Sequence, residues 1–369
     1  MIHKMRHVIS PIPFALAAAL SLPGRAQAQP DPYTVERLAD SVFAVVRKTP
    51  TTGASDSNVL FIIGSKDVVV VDANIFPSSA RQVIAEIKKR TLNPVRYVIN
   101  THWHDDHVTG NEEYTKVYPG VQFIAHPFAR ENVLGSVTTS LKTYVNKEYP
   151  EIIQSVKNQL ASGKRRSGAA LTAADSARLK STIALYEFYL SDTKKTTIVA
   201  PNVTVADSLR LYSADREIVV KWIGLGNTAG DLVVYLPAER IVASGDLVVH
   251  PIPFGFGSLV PEWAETLRRL KGLGATTLMP GHGPIMRDWG YVDSLIELIE
   301  FVGAEVAKAV AAGADLEATR KAVNLDAFRD KLAGTSELLR GGFNELFATP
   351  IVEAAFQRAK QRSGAVKPE

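Results

Sequence analysis

The sequence predicts an α/β fold, and three observations carry that prediction. β-branched runs of strand length, each bounded by turn residues, recur on both sides of a helical middle section. Stretches with helical spacing of apolar residues separate several of them. The densest group of ionisable side chains, THWHDDHVTG at residues 101–110, begins where a β-branched run ends, which is where α/β sheets carry their chemistry.

SVFAVV (41–46), NVLFII (58–63) and DVVVVDA (67–73) have strand composition, and the last two are joined by GSK, a hairpin signal. SSARQVIAEIKKR (78–90) has helical spacing with Val83, Ile84 and Ile87 on one face. PVRYVIN (94–100) is a strand ending at the histidine cluster, which is expected to occupy a loop, and VQFIAH (121–126) is another strand. From Pro127 to about Thr196 the pattern is helical, interrupted by the polar ASGKRRSG (161–168), and Thr172 with Asp175 is a capping-box pair. Strand-like runs return at TIVA (197–200), VTVADSLRLY (203–212), EIVVKWIG (217–224), DLVVYLP (231–237) and RIVASGDLV (240–248). PEWAETLRRLKGLG (261–274) is a helix and ATTLMP (275–280) a strand. Residues 287–369 form a mostly helical extension with breaks expected at Gly313, Gly334 and Gly341–Gly342.

Of the 369 residues 46% are apolar and 22% charged, enough for one large core or two smaller ones and unlike a disordered chain. The formal charge of +4 is concentrated at the start, where Lys4, Arg6 and Arg25 stand without an acidic residue before position 29. Without those three, 39 basic side chains face 38 acidic ones, so charge gives no case for nucleic acid or an anionic membrane as partner. Residues 1–28 have the form of an export signal, with the basic MIHKMRH, an apolar run at 8–22, and AQA ending at Ala28. Pro11 and Pro13 break the apolar run and disfavour a membrane span. The expectation is cleavage near Ala28 and a periplasmic or secreted protein with no stable membrane insertion. The chain has no cysteine, so it has no disulfide and no thiolate metal ligand.

Three of the chain's eight histidines and two aspartates fall between His102 and His107. A packed core has no use for such a run, but a metal does. An H-x-H pair can offer both rings to one ion, and the adjacent Asp106 and His107 can turn towards a second. Asp246 in VASGDLV and His282 in TLMPGHGPI each follow a β-branched run, and Gly281 and Gly283 let the His282 backbone approach a ligand closely. GLGNTAGD at 224–231 precedes a further strand.

The ordered set H-x-H-x-D-H, a G-x-T-x-G-D type loop, S-G-D and P-G-H-G resembles the metallo-β-lactamase superfamily over residues 33–286. The resemblance implies an αββα sandwich, here with a helical insertion at about 127–196 and the helical extension, and a dinuclear metal site, zinc by preference with iron or manganese as alternatives. It implies that His102 and His104 bind the first metal, that Asp106, His107 and His282 bind the second, and that Asp246 bridges them. At the position where the family usually has a third histidine for the first metal, this chain has Asn227, whose amide oxygen is a weaker zinc ligand. Three readings stay open. Asn227 ligates and leaves the first site weak; water takes its place; or the loop shifts and another group, His126 or His250, substitutes.

Such a site implies an enzyme acting on a small molecule, with hydroxide generated on the metals attacking an ester, thioester, lactone or β-lactam carbonyl. Asp106 would orient the nucleophile and carry a proton to the leaving group. Lactamases with a cysteine ligand are excluded, Asp246 resembles the bridging residue of hydroxyacylglutathione hydrolases and lactonases, and His104 stands where the flavodiiron branch has glutamate. Two alternatives remain: a metal-binding relative with little or no turnover, and a mononuclear iron persulfide dioxygenase. The insertion is expected to be a pocket wall or lid with GKRRSG (163–168) at its exposed tip, while Tyr186, Phe188 and Tyr189 dock it on the domain. HPIPFGFG (250–257) is a shaped loop whose His250 and Phe254 are expected to line the substrate pocket.

Overall fold

The computed structural model describes residues 33–362 apart from 48–55, 166 and 214–215, so the expected leader and Arg166 at the insertion tip lie outside the described residues. Two sheets face each other. The first contains β1 (Tyr33–Ala39), β2 (Val42–Arg47), β3 (Val59–Ile63), β4 (Val68–Val71), β5 (Val95–Ile99), β6 (Gln122–Ala125) and β7 (Val203–Thr204), in that spatial order. β1 to β4 form an antiparallel meander, and β4 to β7 run parallel. The second sheet has the order β12 (Thr277–Met279), β11 (Ile241–Ala243), β10 (Leu232–Leu236), β9 (Arg216–Trp222) and β8 (Ser208–Ser213).

Strand periodicity explains the layering. In β3, Leu60 and Ile62 point between the sheets and pack with Val69, Val71, Ile218, Val220, Leu232 and Val234. Val59 and Phe61 point the other way, against Val83, Ile84 and Ile87 of α1 (Pro77–Lys88). β4 is four valines because both of its faces are covered. The outer face of the second sheet is closed by α8 (Glu262–Gly272), α9 (Gly290–Ala311) and α13 (Thr349–Arg362), which contribute Trp263, Leu267, Leu298, Ile299 and Val352 to a third core cluster. The result is an αββα sandwich, as the motif set implied. Between α9 and α13 lie α10 (Leu316–Ala322), α11 (Asp326–Ala333) and α12 (Glu337–Gly342). The left-handed Gly313 and the positive-φ Gly334 stand just after α9 and α11.

The histidine cluster is not a loop throughout. After β5 the chain turns into α2 (Asp105–Val108) and then α3 (Asn111–Val117). Between β6 and β7 it builds α4 (Pro127–Asn132), α5 (Thr138–Thr143), α6 (Tyr149–Ser162) and α7 (Ala173–Thr193), with π-helical turns at Val133–Val137 and Tyr144–Glu148. Thr172 and Asp175 form the expected capping box at the start of α7. Phe76 stacks on Tyr189 at 4.7 Å and lies 5.6 Å from Phe188, so these aromatics dock the insertion onto the segment leading into α1. Val133 and Val137 pack on Val108 of α2 beside Trp103, which brings the insertion over the histidine-bearing turn.

Two expectations need correction. TIVA (197–200) is not a strand; Ile198 and Ala200 are apolar because they pack with Val108, Val133 and Val137, and Val199 offers its carbonyl to Asn111. β1 has no counterpart in the sequence reading, because YTVERLA mixes charged and apolar positions on a half-exposed edge strand.

Candidate metal centre

The site forms where β4, β5, β11 and β12 end. β4 is followed by Asp72 in the left-handed region, φ 65°. That turn aims its carboxylate at the next loop, where Oδ1 accepts from the Thr101 backbone N–H at 2.8 Å and Oδ2 lies 2.8 Å from His107 Nδ1. The Thr101 hydroxyl is in turn 3.1 Å from His102 Nδ1. Both rings are thereby held through Nδ1, leaving each Nε2 for another partner.

Asp246 lies in a tight turn at Gly245–Leu247 directly after β11. Gly281 must be glycine, because a Cβ there would sit 1.9 Å from Asp246 Oδ1. Gly245 has φ 51°, and a Cβ on it would approach Thr101 Oγ1 to 2.4 Å. Asn58 braces the other side. Its amide donates to the carbonyls of Pro280 at 3.0 Å and Gly283 at 2.8 Å, on either side of His282. Neighbouring Ser57 donates to the Asp106 carbonyl at 2.8 Å.

Six predicted residues meet in two groups, His102–His104–Asp246 and Asp106–His107–His282, each with ligand atoms within 4.8 Å of one another. Asp246 touches both: Oδ2 is 3.7 Å from His102 Nε2, while Oδ1 is 3.2 Å from His107 Nε2 and 3.6 Å from His282 Nε2. His282 Nε2 is 2.9 Å from Asp106 Oδ2. Asn227 is buried, and its Nδ2 donates to the Phe254 carbonyl at 3.0 Å. The Phe254 ring lies 5.6 Å from the His282 ring, edge on.

The other candidates lie apart from both groups. The His250 ring packs on Tyr291 at 4.8 Å, and only its backbone N–H reaches His282, at the carbonyl oxygen. His126 caps α4, accepts from the Phe128 N–H and stacks on Trp222. Neither His126 nor His250 is among the residues of the two groups.

The electrostatics are those of an ion site. Burial, then neighbouring His107 and His104, push His102 far down; burial lowers His104 as well. Burial also acts to lower His107 and His282, but the carboxylates of Asp106 and Asp246, with Asp72 beside His107, raise both above the usual histidine range. Burial acts to raise Asp106, yet His107 and His282 hold it below the usual carboxylate range. Asp105 is pushed up to about 7 by burial and by Asp106. Burial, and next the charge of Asp105, raise the phenols of Tyr144 and Tyr149, so both insertion tyrosines stand within electrostatic reach of α2.

The donor set fits a metal pair. Among the described residues, His102 Nε2, His107 Nε2, His282 Nε2, both Asp246 oxygens and Asn227 Oδ1 are buried without a hydrogen-bond partner. Buried polar atoms are almost always partnered; these are not the only exceptions among the described residues, but they are the ones that are ligand types gathered on converging loops. The sequence reading missed Asp72, Ser57, Asn58, Tyr144 and Trp103. For Asp72 a signal existed, an aspartate ending a run of four valines.

The sequence profile of the metallo-beta-lactamase superfamily matches residues 52–282, and the chain belongs to that superfamily. It is similar to a linear primary-alkylsulfatase of a Pseudomonas strain, 23% identical over 224 residues, which span 58% of this chain and 39% of the relative. It is also similar to a metallo-β-lactamase of Chryseobacterium indologenes, 31% identical over 90 residues, 23% of this chain and 37% of that protein. The chain thus spans about two fifths of the length of each of these relatives. Among solved structures, an inverting sec-alkylsulfatase from Pseudomonas superposes with a TM-score of 0.55 at 15% identity, covering 88% of this chain and 50% of that one. A metallo-β-lactamase from Pontibacter korlensis gives 0.50 at 19% identity, covering 73% and 99%. The relatives named are hydrolases, and in this chain the His/Asp groups form a site of the kind a metal-dependent hydrolase requires.

Proposed function

We propose that the chain is a zinc-dependent hydrolase acting on the carbonyl of an ester, thioester, lactone or β-lactam. The observation that supports this most directly is the convergence of the buried, unpartnered ligand atoms of His102, His107, His282, Asp246 and Asn227. His102, His104 and Asn227 would hold the first ion and Asp106, His107 and His282 the second, with Asp246 close to both groups. When bound, the ions supply a Lewis acid for the scissile group and an activated water at neutral pH.

The chain's own residues do the rest. Asp106, kept ionised beside His107 and His282, would take up a proton from the nucleophile and pass it to the leaving group. Asp72 fixes the His107 ring through Nδ1. Trp103 with Val133 and Val137, and separately the stacked pair Tyr144 and Tyr149 within electrostatic reach of Asp105, shield the histidine-bearing side from water, and Phe254 does so next to His282. Export to the periplasm or the medium belongs to the same proposal and is motivated by residues 1–28.

A sulfate ester is the second reading, favoured by the 224-residue match to an alkylsulfatase. The test is metal analysis of the purified chain, followed by hydrolysis assays with esters, thioesters, lactones, β-lactams and alkyl sulfates before and after chelation. Two zinc equivalents and chelator-sensitive carbonyl hydrolysis are expected. Turnover restricted to alkyl sulfates replaces the carbonyl reading by the second. Iron with oxygen uptake on a persulfide, or metal without turnover on any member of the panel, overturns both.

A further inference from the structure

Residues 287–362 lie outside the segment matched to the superfamily, yet they hold the loop beside the metal centre: the Tyr291 hydroxyl donates to the Val249 and Pro251 carbonyls, and a further hydrogen bond comes from beyond α12. Between α12 and α13 the backbone widens into a π-helical turn at Phe343–Ala348. In a regular α-helix the Leu346 carbonyl would accept from the N–H of residue 350. That residue is Pro350, which has no N–H. The Leu346 carbonyl accepts instead from the backbone N–H of Gly255, at 2.8 Å. Position 255 has no room for a side chain, since a Cβ would lie 2.6 Å from the Phe347 carbonyl oxygen and 2.9 Å from the Ile351 backbone nitrogen.

Gly255 follows Phe254, whose carbonyl accepts from Asn227 Nδ2 at 3.0 Å and from the Ser258 hydroxyl at 3.2 Å. A carbonyl oxygen only accepts, so the amide nitrogen of Asn227 must face it and Oδ1 must point away. That Oδ1 is buried and has no partner. The loop carrying Asn227 is itself tied to the histidine strand, because the Leu232 N–H donates to the Thr101 carbonyl at 2.7 Å, next to His102.

We propose that the π-helical turn of the extension is a positioning element for the first metal site: Leu346 fixes Gly255, Gly255 fixes the Phe254 carbonyl, and Phe254 sets the direction of Asn227 Oδ1. The proposal rests on the reading of Asn227 as the third ligand of that site. A neutral amide is a poor zinc donor, so its contribution depends on being held in the binding geometry before the ion arrives. The extension supplies that hold without placing a residue in the site.

The test uses the full chain, stripped with chelator and titrated with Zn²⁺ and in parallel with Co²⁺, whose visible bands report coordination. Asn227→Ala should weaken the looser equivalent. Pro350→Ala restores a helical donor for the Leu346 carbonyl and removes no core contact of the site. It should weaken the same equivalent roughly tenfold, alter its cobalt bands, and speed amide exchange at 254–258. The tighter equivalent should stay unchanged and Tm should not fall. Gly255→Ala, which crowds Phe347, should act in the same direction. If Asn227→Ala weakens the equivalent and neither Pro350→Ala nor Gly255→Ala does, the positioning role fails while the ligand reading stands. If Asn227→Ala leaves both equivalents unchanged, the ligand reading fails and the proposal with it.

Discussion

His107 Nδ1 lies 2.8 Å from Asp72 Oδ2, a contact between side chains 35 residues apart that commits the other ring nitrogen to the metal centre. Both residues are fully buried, and Asp72 also accepts from the Thr101 N–H and hydroxyl. Asp72→Asn keeps the shape but removes the charge that fixes the ring's tautomer. Zinc titration should show the tighter equivalent weakened by about 10–100-fold with the folded CD spectrum retained. Unchanged affinity would mean that Asp72 only fills space.

The two groups are unequal. Asp106, His107, His282 and Asp246 form a complete oxygen–nitrogen set, whereas the first group has two imidazoles, its share of Asp246, and an amide. Titration of chelator-stripped protein should therefore give one tight and one weaker zinc equivalent. Two equally tight equivalents in the unaltered chain would sink this inequality.

Asn227→His should remove it. An imidazole restores a three-nitrogen environment for the first ion. The weaker equivalent should tighten, and turnover on the best panel substrate should rise at limiting zinc. A falling rate with tighter zinc would show that Asn227 is tuned to a particular metal or substrate.

Asn58 makes a stability prediction. Its buried amide spans from Arg47, whose N–H it accepts, to the carbonyls of Pro280 and Gly283. Asn58→Ala deletes these three buried hydrogen bonds and should cost about 1–3 kcal/mol in denaturant unfolding. A loss well under that range would show that the His282 loop holds itself.

The contrast between His282 and Asn58 explains what was legible in the sequence. His282 sits in P-G-H-G, a pattern recognisable within four residues even though what excludes a side chain at Gly281 is the distant Asp246, and the run from His102 to His107 is equally compact. Asn58 acts on carbonyls 222 and 225 residues away, and no spacing rule reaches that far. The layers were legible because burial has a period: β3 alternates between two cores, and α1 shows one apolar face. TIVA (197–200) misled because strand composition and burial without strand pairing look alike in a four-residue run. The π-helical turns were invisible, since no composition or spacing signal distinguishes them from the α-helix around them.

The insertion tip gives the last prediction. Gly163 ends α6 in the left-handed conformation, and the chain returns through a tight turn in which Lys164 pairs with Ala170. Lys164 and Arg165 are exposed, and Arg165 is held by an ion pair to Asp175 at 2.7 Å. Asp175 is lowered to about 2, first by the Thr172 backbone and hydroxyl and then by Arg165. A depressed carboxyl contributes above its unfolded pKa and loses that contribution as pH falls through about 2, so the clamp is intact at neutral pH. Trypsin should cut first at Lys164 or Arg165, and Asp175→Asn should speed that cut by freeing Arg165 and weakening the cap of α7. The nicked protein should keep its metal, because the centre is built from Asp72, the β5 end and the Asp246 and His282 turns, all outside the insertion. Substrate preference should change instead, since Tyr144, Tyr149, Val133 and Val137 cover the histidine-bearing turn. Metal analysis and the substrate panel on nicked protein decide the matter. Loss of metal on nicking would make the insertion part of the centre's scaffold and end its reading as a lid.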